Sequence, residues 1–189
     1  MGLFSLEHGR AAYQADFALY GGAVVLLAAF LCVAAPMEMR VQAALYTLLG
    51  LGSWSAIEYA FHRFILHGMQ PFSRWHAQHH QRPKARICTP TVLSAALIAM
   101  LVSLPAYLLW GVWRAAGFTL GVLAGYFAYS VVHHAMHHWH TDSAWLRQRK
   151  RWHALHHAHS GVLACYGVTS AFWDHVFGTA CPGEKGLRP

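Results

Sequence analysis

Four stretches without a charged residue, 17–37, 41–57, 87–113 and 115–132, take up almost half of the 189-residue chain. About 20 apolar residues cross the hydrocarbon of a bilayer as a helix, and each stretch is near that length or longer. The competing reading is four buried helices of a soluble bundle. Only 11% of the residues are charged, against roughly 25% in an ordinary soluble domain, too few to cover the outside of such a bundle. The sequence therefore predicts an all-α integral membrane protein, a single domain over residues 1–189. Four transmembrane helices are expected at about 17–37, 41–61, 91–113 and 115–132, paired as two hairpins.

The net charge of +7 does not point to nucleic acid, because of where it sits. Arg74, Arg82, Lys84 and Arg86 follow the second apolar stretch, and Arg147, Arg149, Lys150 and Arg151 follow the fourth. The other connectors carry Arg40 beside Glu38, and Arg114 alone. This asymmetry puts both basic segments and both termini in the cytoplasm, at a bacterial inner membrane or the endoplasmic reticulum. The N-terminus lacks the basic start and early apolar core of a signal peptide, so the first stretch is expected to stay as an anchor. Cys32, Cys88, Cys165 and Cys181 form no CxxC pair, and no disulfide framework is expected on a cytoplasmic face. Gly21 and Gly22, with Gly50 and Gly52 opposite, would let the first two helices approach closely, or are simply tolerated glycines.

Sixteen histidines are distributed just as unevenly: five in 62–80, nine in 133–159 and none in 81–132. His62 and His67 form a first cluster, and His76, His79 and His80 an HxxHH box. His133, His134, His137 and His138 form the third cluster, and His153, His156 and His157 a second HxxHH. On a helix, i, i+3 and i+4 share a face, so each HxxHH could bring three imidazoles to one point. The i, i+5 spacing of the first pair is about 140° on an ideal helix, so His67 is expected at the helix end, before Gly68. Two crossings separate residue 80 from residue 133, which returns all four clusters to one side of the membrane. Segments 62–90 and 133–189 are expected to form a cytosolic helical cap carrying the site. In it Asp142 and Ser143 cap a helix over 145–157, and Gly161, Gly167, Gly178 and Gly183 interrupt the chain.

Imidazole donors suit iron, copper and zinc. Calcium and magnesium want oxygen ligands, which are scarce here, no HExxH motif occurs, and a carboxylate-bridged site needs Glu-x-x-His repeats that are absent. Ten clustered imidazoles are about enough for two ions with five ligands each, which points to a two-iron centre that activates O₂. Glu58 lies one turn before His62, where it could orient a ligating imidazole or pair with Arg63. Asp174, between Trp173 and His175, could orient a ligating imidazole or pair with a basic loop. A solvated or pH-sensing histidine surface, a non-enzymatic metal carrier and a bis-histidine haem protein are the readings from other classes. A carrier would need ligands deep inside its spans, whereas these histidines gather at span ends.

Residues 54–181 resemble the fatty acid hydroxylase/sterol desaturase superfamily of membrane di-iron oxygenases. The resemblance rests on HRFILH at 62–67, HAQHH at 76–80, HHAMH at 133–137 and HALHH at 153–157. The stretches WSAIEYAFHRFILH, YSVVHHAMH and SGVLACYGVTSAFWDHVFGT are similar to the fatty acid 2-hydroxylase branch. The resemblance implies metal ligands at His62, His67, His76, His79, His80, His133, His137, His153, His156 and His157, with two Fe²⁺ ions and O₂ as co-substrate. It implies a membrane lipid substrate, a fatty acyl chain hydroxylated at C2 among the options. The short gap between His67 and His76 is instead similar to the carotenoid hydroxylases, so carotenoid ring hydroxylation is the enzymatic alternative. His134 and His138 offer the same i, i+4 pair one residue later; Tyr129 before the box favours His133 and His137. No cytochrome b5-like segment accompanies the boxes, so electrons are expected from a separate cytochrome b5- or ferredoxin-like carrier with its reductase.

Overall fold

A computed structural model describes residues 7–158 and 165–181. Gly161 and Gly183 lie outside the described residues. The described chain is helical, with an isolated bridge between Glu7 and Ile87 and no strand. The helices are α1 (Arg10–Ala34), α2 (Met37–Ala60), α3 (Phe72–Gln81), α4 (Thr91–Ile98), α5 (Leu104–His138), α6 (Ala144–Ala158) and α7 (Phe172–Val176). π-helical turns occupy Phe61–Leu66 after α2 and Ala99–Ser103 between α4 and α5. The chain divides into two compact units, one from the segment ending at Trp54 with Ala85–Phe127, the other from Ser55–Lys84 with the segment beginning at Ala128.

The first unit is built from the apolar stretches. Pro36 has no N–H to continue a helix and holds Ala35 extended, so α1 stops and α2 starts within two residues. The second hairpin turns where the backbone can turn. The sequence put that connector at Arg114, the one charge between the third and fourth stretches. The structure reverses at Gly111, whose φ of 74° and ψ of 176° are open only to glycine. Thr119 then donates its hydroxyl to Ser103 at 3.2 Å, though sixteen residues of straight helix would separate them by about 24 Å. Arg114 lies inside the returning arm, its charge met by the Gln42 side-chain oxygen at 2.6 Å.

Among the described residues, two helical segments are long and apolar enough to cross a membrane: Arg10–Ala34 and Thr91–His138, the second folded back at Gly111. Only 11% of the most apolar window of each is buried inside the protein. Val25, Leu26, Val33, Leu108 and Leu109 stand 66–83% exposed, a surface that lipid covers without cost and water does not.

Between apolar helices in lipid, association depends on close packing rather than on hydrophobic burial. The sequence paired glycines of α1 with glycines of α2; the contact is instead between α2 and α5. A Cβ on Gly117 would strike the Ala43 carbonyl, one on Gly121 the Thr47 carbonyl, and one on Gly50 the Phe118 carbonyl. Gly22 and Gly52 face open space. The glycines therefore permit backbone to touch backbone along one seam, and the helix that α2 meets was not legible from α2 alone. Aromatic rings close the rest: Tyr20 and Trp54 both pack edge-on against Tyr126, at 4.7 and 5.5 Å. The Tyr20 and Ser94 hydroxyls meet at 2.6 Å.

The second unit is polar and holds the four histidine clusters. Ser143 accepts the Leu146 N–H at 3.4 Å as the cap of α6, and Asp142 accepts from Arg147 through its carbonyl rather than its carboxylate. Cys165 and Cys181, expected to be unpaired, are joined in a disulfide. Sixteen residues apart, they meet because the Cys165 N–H bonds the Thr179 carbonyl at 2.8 Å, folding the segment back on itself. Their spacing in the chain gave no sign of it.

Gly121→Val is expected to lower the stability of the detergent-solubilised protein by about 1–3 kcal/mol or more, the cost of overpacking. Gly52→Ala, with room around it, is expected to leave the thermal midpoint unchanged or raised. Equal midpoints for Gly121→Val and wild type would remove the α2–α5 seam from the account.

Candidate metal centre

The chain leaves α2 on a widened turn. His67 donates its N–H to the His62 carbonyl at 3.1 Å, an i→i+5 bond that stacks residue i+5 over residue i. A pair that diverges on an α-helix is thereby brought together, with ring centroids 5.1 Å apart. Helix α3 then presents His76, His79 and His80; the end of α5 presents His133 and His137; α6 presents His153, His156 and His157.

These ten imidazoles gather into two groups of five, the donor nitrogens in each within 4.8 Å of one another. His62, His67, His76, His80 and His156 make the first group; His79, His133, His137, His153 and His157 make the second. Each HxxHH was expected to converge on one point, and neither does. The first and last residues of each box go to one group and the middle one to the other. Side chains one helical turn apart share a face, but a ring reaches far enough for its neighbours on other helices to decide where it points.

The nitrogens that meet are Nε2 throughout. In the first group His76 lies 3.0 Å from both His62 and His80, and His67 lies 3.0 Å from His156. In the second, His137 lies 3.3 Å from His133 and 2.9 Å from His153, which is 3.0 Å from His157. Burial is the largest influence on these rings, and it disfavours their charged form, with neighbouring imidazoles adding to it. His67 and His157 are pulled down to about 4, His79 and His137 to about 3 and His80 to about 2. His62, His76, His133 and His153 lie well below the ordinary value.

Neutral imidazoles crowded Nε2 to Nε2 fit a cation at each focus. A metal–nitrogen bond of roughly 2.0–2.1 Å places neighbouring ligands at right angles about 3 Å apart, the spacing found along both groups. Nε2 of His79, which is 4% exposed, is buried without a hydrogen-bond partner. Such an orphan is costly unless a ligand takes the lone pair. Among the described residues the donor set is all nitrogen, with no carboxylate or thiolate in either group, which suits a transition metal and not calcium or magnesium.

The two acids noted in the sequence act through a loop. Glu58, 4% exposed, accepts the N–H groups of Val168 at 2.7 Å and Thr169 at 2.9 Å, and the Thr169 hydroxyl. Asp174 accepts the N–H groups of Tyr166 at 2.9 Å and Gly167 at 2.8 Å, and the Thr179 hydroxyl. The loop so held turns the Tyr166 carbonyl toward His62, whose Nδ1–H donates to it at 2.5 Å. That bond fixes the tautomer and leaves the Nε2 lone pair facing the group. Tyr166 was missed in the sequence. It lies in the SGVLACYGVTSAFWDHVFGT tail, but its contribution is a backbone carbonyl, which any residue type supplies. Its ring also packs 5.4–5.7 Å from His62, His67 and His156. Tyr129 stacks on His133 at 5.7 Å. His134 and His138 stand outside both groups, stacked on each other at 4.5 Å.

Two outcomes follow from this chemistry. Glu58→Gln keeps the side chain's size but presents an amide to backbone donors, and is expected to weaken metal retention about 10–100-fold, read as metal content after dialysis against a chelator. The second concerns acid. In the unfolded chain the imidazoles take up protons near 6.5, whereas in the folded metal-free chain His67 and His157 do so at about 4 and His79 and His137 at about 3. The unfolded state binds more protons between these limits. Metal-free protein should therefore be at full stability above 6.5 and lose it as pH falls through that window. A thermal midpoint that ignores pH there would contradict the burial.

Comparison with known proteins gives the family. The family model described as fatty acid hydroxylase matches residues 47–179, well over half of the chain and all ten histidines. The ceramide very long chain fatty acid hydroxylase of Schizosaccharomyces pombe is 32% identical over 170 residues, 81% of this chain and 46% of that protein. A dihydroceramide fatty acyl 2-hydroxylase of Arabidopsis thaliana is 33% identical, covering 76% of this chain and 63% of its own. The human fatty acid 2-hydroxylase is 30% identical, covering 75% and 41%. The chain thus spans about half the length of the curated relatives it matches. The solved structure of scs7p, in which only the hydroxylase domain is visible, superposes with a TM-score of 0.74 at 29% identity, covering 89% of this chain and 66% of that one. The chain belongs to the fatty acid hydroxylase family.

Proposed function

We propose that this protein inserts one oxygen atom from O₂ into a C–H bond of a fatty acyl chain in a membrane lipid, at C2, using an iron ion in each five-histidine group. The observation that carries the proposal is the pair of all-imidazole groups in a chain whose relatives are ceramide and fatty acid 2-hydroxylases. His62, His67, His76, His80 and His156 would hold one iron, and His79, His133, His137, His153 and His157 the other. The irons, once bound, supply O₂ activation and the oxidising power that an unactivated C–H bond requires.

The chain's own residues supply placement. Neutral imidazoles offer lone pairs without first losing a proton, and the Tyr166 carbonyl keeps His62 in the tautomer that does so. Burial of His62, His79, His153 and His156 at 2–5% exposure keeps bulk water, a competing reactant, away from the centre. Glu58 and Asp174 are positioning residues, acting on the ligands through the 166–169 loop.

The proposal includes the membrane topology: four crossings in two hairpins, with both termini and the histidine segments on the cytoplasmic side. The exposed cations Arg74, Arg82, Arg147 and Arg151 then lie where they meet the polar head of the lipid and anionic headgroups. Electrons come from a separate cytochrome b5- or ferredoxin-like carrier with its reductase.

The test is lipid mass spectrometry of cells with and without the protein, fed fatty acid deuterated at C2. A product heavier by one oxygen and lighter by one deuterium supports the reading. Retention of both deuteriums moves the reaction to another carbon, and loss of hydrogen without oxygen makes it a desaturation. His79→Ala is expected to abolish product while the protein still inserts in the membrane; undiminished turnover in that variant would sink the di-iron assignment.

A further inference from the structure

We propose that His134 and His138 form a third, exchangeable site for a divalent transition-metal ion, through which ions reach the second histidine group. The two residues repeat the i, i+4 spacing of His133 and His137 one position later, so they lie about 100° further around α5. Their ring centroids are 4.5 Å apart with the planes 27° from parallel; the i, i+4 pairs inside the two groups are as close, 4.5–4.8 Å, with their planes turned 66–88° from one another. A helix end that carries two imidazoles at this spacing can chelate a borderline metal, water filling the other positions.

Three observations turn this pair from a surface feature into a route. The first is exposure: His138 is exposed and His134 and His137 half-buried, whereas His79 and His153 of the second group are buried. An ion arriving from water meets the outer pair first. The second is continuity, since the His138 ring lies 6.4 Å from that of His137, itself 2.9 Å through Nε2 from His153. An ion held by His138 is one residue along the helix from His137, a member of the second group. The third is charge. Lys150 donates to the Trp139 carbonyl, which fixes an ammonium beside the helix end. Two donors beside a fixed cation bind weakly and release, whereas five donors out of water hold on. Delivery to the second group rests on the proposed function; chelation by the outer pair does not.

The test uses the detergent-solubilised protein with its resident metal. One equivalent of Cu²⁺ is added, and the nitrogen couplings in its electron paramagnetic resonance spectrum are read. Exchange of resident iron for isotopically labelled iron is followed separately by mass spectrometry. Wild type is expected to show Cu²⁺ with two coupled nitrogens. His134→Gln and His138→Gln should each lose that signature and slow iron exchange several-fold, with total iron content and thermal midpoint unchanged. His138→Cys, which restores a metal-binding side chain, should recover the faster exchange. A two-nitrogen signature that survives in both glutamine variants, or label exchange at the wild-type rate in both, would overturn the proposal. Wild-type protein without iron that still gives a Cu²⁺ signature dependent on His134 and His138 would instead count against the di-iron reading and the delivery role, while supporting the outer site.

Discussion

Ten imidazoles turned inward are held in place at a cost. Each ring has left water, where both nitrogens were hydrogen-bonded, and nine of the ten now bring Nε2 to within 2.9–3.3 Å of another Nε2. Protons cannot relieve the crowding, because burial and the neighbouring rings hold these groups far below the pH at which histidine ordinarily charges. A metal cation can. Much of the second unit can be understood as structure that keeps ten rings in this arrangement: a widened turn for His62 and His67, a capped α6, and a disulfide-closed segment after it.

The loop from Tyr166 to Thr169 shows how that is done without further metal ligands. Two buried carboxylates take up backbone N–H groups that would otherwise be orphaned, and so fix a single carbonyl against a single imidazole. Charged acceptors make the stronger hydrogen bonds, which suits a loop that must hold one ring's tautomer. The acids therefore matter to the site although the bonds described for them end on backbone and hydroxyl groups. That is also why the sequence could nominate Glu58 but not its partners. A carboxylate one turn from a histidine is visible in a string of letters; a backbone amide more than a hundred residues away is not.

The same division runs through the fold. Chemistry that depends on residue type was readable: apolar stretches, clustered imidazoles, a serine before a helix, a proline between two others. Features that depend on which surfaces meet were not. Gly50 was visible as a small residue, but its partner on α5 was not. The hairpin turn was sought at Arg114 because a charge is conspicuous, and was found at Gly111 because only backbone freedom mattered there. The two HxxHH boxes looked like self-contained triads, and their sharing between two groups depends on rings from other helices.

That sharing has a mechanical side. Helices α3 and α6 each give rings to both groups, so neither helix can rotate or slide for the benefit of one group alone. The gap between the two foci is gauged by the step from the third to the fourth residue of a helical turn, laid down twice, on two rigid rods. A ruler made of backbone pitch does not stretch with temperature, lipid thickness or the shape of whatever lies beside it.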